Sequence, residues 1–128
     1  MTFSRLIWDE RIEQYKAAKQ IHKPKNNVIF YDRGLADVTA YLKHEGSPER
    51  QLEKKLISYP YELVFLLKPL EKFYVQDSDR MESFEEAISL HHEIESAYKA
   101  YSNCINVPFD TPEKRIEFIL NQCDVSIK

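Results

Sequence analysis

Glycine is nearly absent from this chain, which holds only Gly34 and Gly46 in 128 residues. A phosphate-cradling loop of the form G-x-x-x-x-G-K-[ST] needs glycines close to a lysine. Neither glycine opens such a loop, and Lys16, Lys19, Lys23 and Lys25 have no glycines around them. Cysteine is as scarce. Cys104 and Cys123 give no metal spacing and no disulfide framework. Both read as small buried hydrophobes, which suits a reducing cytoplasm. No apolar run approaches the roughly 18 residues of a membrane span. Met1-Thr2-Phe3-Ser4-Arg5 lacks the apolar core of a signal peptide, so a cytoplasmic location away from membranes is expected. Positive charge is not in excess either. The net charge of −3 and pI near 5.8 argue against a nucleic-acid surface, which wants a basic face.

What remains is an ordinary soluble composition, 43% apolar and 30% charged, long enough for one core and too short for two. A single domain over residues 1–128 is expected. Apolar residues at helical spacing predict a helix over 3–22, stopped by Pro24. Val28-Ile29-Phe30-Tyr31 is a short, continuously apolar run that predicts a buried parallel strand. A second helix runs from Leu35 to Glu45 and ends at Gly46. A short charged helix over 48–58, a strand over 61–67, a charged loop over 70–81, a long helix over 83–101 and a strand over 103–107 follow. Asp110 or Thr111 caps a last helix, with Pro112 in its first turn. Strands alternating with helices imply right-handed crossovers and a mostly parallel sheet covered by helices. The fold class expected is therefore α/β.

Asp32 and Arg33 leave the first of these runs just before a turn glycine. Ligands bind at strand C-terminal ends in such sheets. A carboxylate there can hold Mg²⁺ or take a hydroxyl proton, and an arginine can clamp a phosphate. Alternatively, Asp32 caps the following helix and Arg33 is a solvated neighbour. Gly34 lets the backbone approach a ligand or simply turns the chain into the helix. The charged cluster Lys68, Lys72, Asp77, Asp79, Arg80 and Glu82 is either a lid with Arg80 stabilising developing charge or a solvated loop. His91 and Glu95, four apart on one helix, supply two metal ligands with no third in sight. Pro108-Phe109-Asp110-Thr111 either contacts a nucleotide base or is a plain loop with a cap.

Four stretches carry a family resemblance. They are Phe-Tyr-Asp-Arg-Gly-Leu-Ala-Asp-Val-Thr-Ala-Tyr-Leu at 30–42, Tyr-Glu-Leu-Val-Phe-Leu-Leu-Lys-Pro-Leu-Glu-Lys-Phe-Tyr at 61–74, Asp-Arg-Met-Glu-Ser-Phe-Glu-Glu-Ala at 79–87, and Val107-Pro108 followed by Glu-Lys-Arg-Ile-Glu-Phe-Ile-Leu at 113–120. Through most of residues 3–120 the chain resembles AAA-type ATPases related to nicotinamide riboside kinases and thymidylate-kinase-like P-loop kinases. The resemblance implies a three-layer, partial P-loop fold that uses ATP and Mg²⁺. It implies Asp32 and Arg33 near the phosphates, Asp32 at the metal, Arg80 as the lid arginine, and Asp37 as a second acid facing the acceptor. It places Pro108, Phe109 and Thr111 near the base.

The same resemblance implies an N-terminal strand, phosphate loop and helix that these residues do not contain. The expectation is a truncated kinase-like or ATPase-like domain carrying the acceptor and lid side of a phosphoryl-transfer site, inactive alone. The alternative is a non-enzymatic interaction module on a P-loop fold. In P-loop kinases the strand before the phosphate loop lies between those matching 28–31 and 61–67. Without it, those two runs are expected to pair directly, and a second copy of the chain is expected to cover the bare face and edge as a homodimer.

Overall fold

A computed structural model of the protein describes residues 3–21, 28–70 and 83–123. Its elements run in the order helix α1 (Phe3–Lys19), α2 (Leu35–His44), α3 (Arg50–Lys55) with a 3₁₀ turn at Leu56–Ser58, strand β1 (Leu63–Leu66), α4 (Phe84–Lys99), β2 (Asn103–Asn106) and α5 (Pro112–Gln122). The chain is helix-rich, with a short two-stranded parallel sheet flanked by helices, an α/β arrangement consistent with part of a P-loop fold.

Local chemistry sets the helix ends. Ser83 caps α4 by accepting the Glu86 N–H at 3.2 Å, and Glu85 and Glu86 in the first turn suit the helix dipole. Thr111, rather than Asp110, caps α5 by accepting the Lys114 N–H, with Pro112 in the first turn. At the end of α2, the Gly46 N–H donates to the Lys43 carbonyl at 3.1 Å and the Ser47 N–H to the Leu42 carbonyl at 2.9 Å. This paired closure needs a left-handed residue after the helix, and Gly46 supplies it with φ of 82°.

Leu63 to Leu66 pair in parallel with Asn103 to Asn106, residue for residue. The ladder extends one bond further, from the Val107 N–H to the Leu66 carbonyl at 2.9 Å. A parallel pair requires a crossover, which α4 provides together with residues 67–83. The expected strand at 28–31 is not formed, and it does not pair with the strand at 61–67. Among the described residues, those four make no main-chain hydrogen bond. A β-rich run becomes a strand only when a neighbour completes its ladder. Here Tyr31 instead packs its ring on Tyr61.

The core centres on α2. Leu35, Ala36, Val38, Thr39 and Ala40 are all buried, so this ten-residue helix is enclosed on several sides. It packs chiefly on α4 and then on α1. Trp8 of α1, Leu52 of α3, Leu56 of the 3₁₀ turn and Tyr98 of α4 complete the cluster. Helix α5 contributes no buried residue.

Gly46 gives a clean test of the α2 closure. Nothing lies within 4 Å of a Cβ built at this position, so Gly46→Ala meets no clash and strains only the backbone. The expected loss is about 1–2 kcal/mol. Urea unfolding should show a lower midpoint with an unchanged slope.

Candidate functional site

The turn from Asp32 to Leu35 is built against ordinary backbone preference. Arg33 is the only non-glycine with positive φ among the described residues, at 67°. Such a conformation costs a side-chain-bearing residue about 1–3 kcal/mol and gathers at functional sites. Gly34 beside it is extended, with φ of −144° and ψ of −169°. Its missing side chain serves space rather than rotation. A Cβ there would lie 2.5 Å from the Tyr98 hydroxyl oxygen and 2.8 Å from that of Tyr61.

Two side chains from distant elements hold this turn. The Leu35 N–H, an orphan donor at the helix start, donates to the Tyr61 hydroxyl at 3.1 Å. The Arg11 guanidinium on α1 donates to the Gly34 carbonyl at 2.9 Å. Behind them lies a group of tyrosine rings. Tyr61 meets Tyr15 and Tyr31 edge-on at centroid distances of 5.5 and 5.2 Å, and Tyr15 meets Tyr59 at 5.3 Å. The Tyr15 hydroxyl donates to the Pro60 carbonyl at 2.7 Å. These edge-to-face contacts are favoured by the ring quadrupoles.

Asp37, one turn into α2, is the most perturbed acid near this turn. Its side chain is 13% exposed and lies 3.7 Å from Arg33 Nη1, whose own side chain is 67% exposed. Burial pushes its carboxyl above the ordinary range, against the pull of a hydrogen bond from the Tyr98 hydroxyl and the positive charges of Arg33 and Arg11. Burial, together with the adjacent Asp37 charge, drives the Tyr98 phenol far up. Burial also raises Tyr61, opposed by the hydrogen bond from Leu35. Both phenols therefore stay protonated and can act as fixed dipoles.

A family model of the AAA domain matches residues 1–115. The chain belongs to this family. No curated protein and no solved structure matches the chain. AAA domains are P-loop NTPase-like, and the P-loop families use ATP with Mg²⁺.

In this AAA domain, Arg33 and Asp37 meet at the start of α2, and Asp32 precedes Arg33 in the chain. Asp32 does not cap the helix: Gly34 occupies the cap position, and the Leu35 N–H is taken by the Tyr61 hydroxyl. Asp32 is exposed and makes no hydrogen bond or ion pair with any described residue. Mg²⁺ often takes a single protein carboxylate plus substrate phosphates, so Asp32 suits that ion when a phosphate accompanies it. Among the described residues no group of three or more His, Cys, Asp or Glu is arranged to hold a metal. His91 is buried, which lowers its pKa against the nearby Glu95 charge, while His92 and Lys68 lower it further.

Pro108, Phe109 and Thr111 lie on the exposed loop between β2 and α5, away from the Arg33 turn in sequence. Arg115 stacks its guanidinium 5.7 Å from the Phe109 ring centroid, and the Thr111 hydroxyl is engaged as the α5 cap. Arg80, with most of the charged loop, lies outside the described residues. Sequence reasoning did not single out Arg11, Tyr61 or Tyr98. No helix of the described residues is long and apolar enough to cross a membrane.

The raised Asp37 pKa has a definite sign. Between the ordinary carboxylate value near pH 4 and the raised folded value, the native state binds more protons than the unfolded state. Stability therefore falls as pH rises through that window. Asp37→Asn removes this titration. The variant should match or exceed the parent in melting temperature at pH 7 and lose that advantage at pH 3. A variant clearly less stable than the parent at pH 7 but not at pH 3 would reverse the sign.

Proposed function

We propose that this chain supplies the acceptor and lid side of an ATP–Mg²⁺ phosphoryl-transfer site of the small-molecule kinase or ATPase type. The observation that carries the reading is the Asp32–Arg33 pair. An exposed acid without a described partner stands beside an exposed guanidinium on a strained turn, and neither is used to cap the helix. Asp32 would hold Mg²⁺ and Arg33 would clamp a phosphate bidentately. Asp37 would fix the Arg33 side chain and face the acceptor. Arg80 would close over the phosphates from the lid. Pro108, Phe109 and Thr111 would border the base.

The glycine-rich loop that normally wraps the β- and γ-phosphates is not among these 128 residues. In this reading the chain alone is inactive. Losing several charge-assisted contacts of roughly 1.5–3 kcal/mol each leaves affinity for ATP–Mg²⁺ at about millimolar or weaker. Calorimetry should therefore show no micromolar binding. Amide spectra at millimolar ATP–Mg²⁺ should show shifts concentrated at residues 32–37. Micromolar affinity would overturn the inactive-half reading, and shifts that bypass residues 32–37 would overturn the site.

A second reading, an interaction module that assembles as a homodimer, is favoured by surface left uncovered. The edge of β1 away from β2 has no strand partner among the described residues, and Phe3, Leu6 and Phe30 are 77%, 53% and 58% exposed. Unpaired strand edges and apolar patches favour association. Sedimentation at micromolar concentration should give twice the 15.2 kDa chain mass. A monomer would rule the dimer out.

A further inference from the structure

The Gly34 carbonyl and the Leu35 N–H belong to one peptide unit, and that unit is planar and rigid. Arg11 holds its oxygen end at 2.9 Å and Tyr61 its nitrogen end at 3.1 Å. A single peptide plane is thus gripped from two sides, by a helix 23 residues upstream and by a tyrosine 26 residues downstream. The Tyr98 and Tyr61 hydroxyls crowd Gly34 from one side, 2.5 and 2.8 Å from where a Cβ would stand, which narrows the room for this residue to turn. The direction change into α2 must then fall on the residue before, and Arg33 is the residue with φ of 67°.

We infer that Arg11 and Tyr61 are positioning residues: by clamping the Gly34–Leu35 peptide they force Arg33 into its left-handed pose and so aim Asp32 and the Arg33 guanidinium outward. That this pose serves a phosphate-bearing ligand rests on the function proposed above. Each residue acts through hydrogen bonding. Tyr61→Phe keeps the ring among Tyr15, Tyr31 and Tyr98 but removes the acceptor. Arg11→Gln removes the guanidinium reach, whereas Arg11→Lys keeps a cationic N–H donor on a long stem.

The test reads the backbone at Arg33 directly. Positive φ gives a strong intraresidue amide–Hα Overhauser effect and a reduced one-bond Cα–Hα coupling. Tyr61→Phe and Arg11→Gln should each lose this signature at Arg33 while amide shifts of α4 and β2 stay in place, and Arg11→Lys should restore much of it. A thermodynamic cycle supplies a second readout. Arg33→Gly relieves the left-handed strain, so it should raise the unfolding midpoint in the parent chain and raise it clearly less in the Tyr61→Phe background, since these neighbours share one network. Retention of the positive-φ signature in both Tyr61→Phe and Arg11→Gln would overturn the clamp, as would additive effects of Arg33→Gly and Tyr61→Phe. In ATP–Mg²⁺ titrations, shifts at residues 32 and 33 should shrink several-fold in Tyr61→Phe. If the signature is lost in the variants while the parent shows no shift at residues 32–37, the clamp stands and the phosphate role falls.

Discussion

The enclosure of α2 is the constraint on which the rest of the structure depends. A ten-residue helix is too short to persist alone in water, so tertiary packing must hold it. Leu35, Val38 and the small residues Ala36, Thr39 and Ala40 let α4 and α1 approach closely. Thr39 settles its hydroxyl locally by donating to the Ala36 carbonyl at 3.0 Å. With the helix fixed on several sides, its N-terminal end becomes a rigid platform. The acid–arginine turn stands on that platform, and the tyrosines from α4 and from the approach to β1 reach the turn because α2 holds it there. Packing therefore comes before polar placement: the hydrogen bonds refine a position that burial has already set.

Much of the fold was legible in the sequence because helix ends carry local chemistry. Ser83, Thr111-Pro112 and Gly46 each marked a boundary that the structure keeps to within a residue or two. The apolar run Leu63–Leu66 and the β2 segment were readable as strands with a helix between them. The run 28–31 was misread for a physical reason. Its β-forming residues are the same whether or not a neighbour stands beside them, and strand formation depends on the neighbour. Parts of the site were hidden for similar reasons. An arginine on the polar side of an amphipathic helix looks like any solvated charge, so nothing marked Arg11. Tyr61 read as the beginning of a strand and Tyr98 as one position of a long helix, although both direct their hydroxyls at Gly34. The sequence reading also gave the turn's freedom to Gly34, whereas the left-handed residue is Arg33.

The electrostatics around the turn share a theme. Asp37 is held near two guanidinium groups and still rises above its ordinary pKa, because removal from water outweighs the opposing charges. Tyr98 and Tyr61 are locked in the protonated state by the same burial. Donors whose protons are fixed do not need to reorganise when a charged group arrives. A site of this kind is tuned by geometry, and mutations that leave every charge in place can still disable it.

The two glycines show how little slack the chain has. Gly46 is needed for a torsion that side chains resist, and Gly34 for a space that a single methyl would fill. Each does a different job, and neither can be released for another. No third glycine is left for a loop whose main-chain amides fold closely around a polyphosphate. Grafting such a loop onto this scaffold would therefore require new glycines at new positions, because moving the existing ones would unfasten the end of α2 or jam its beginning.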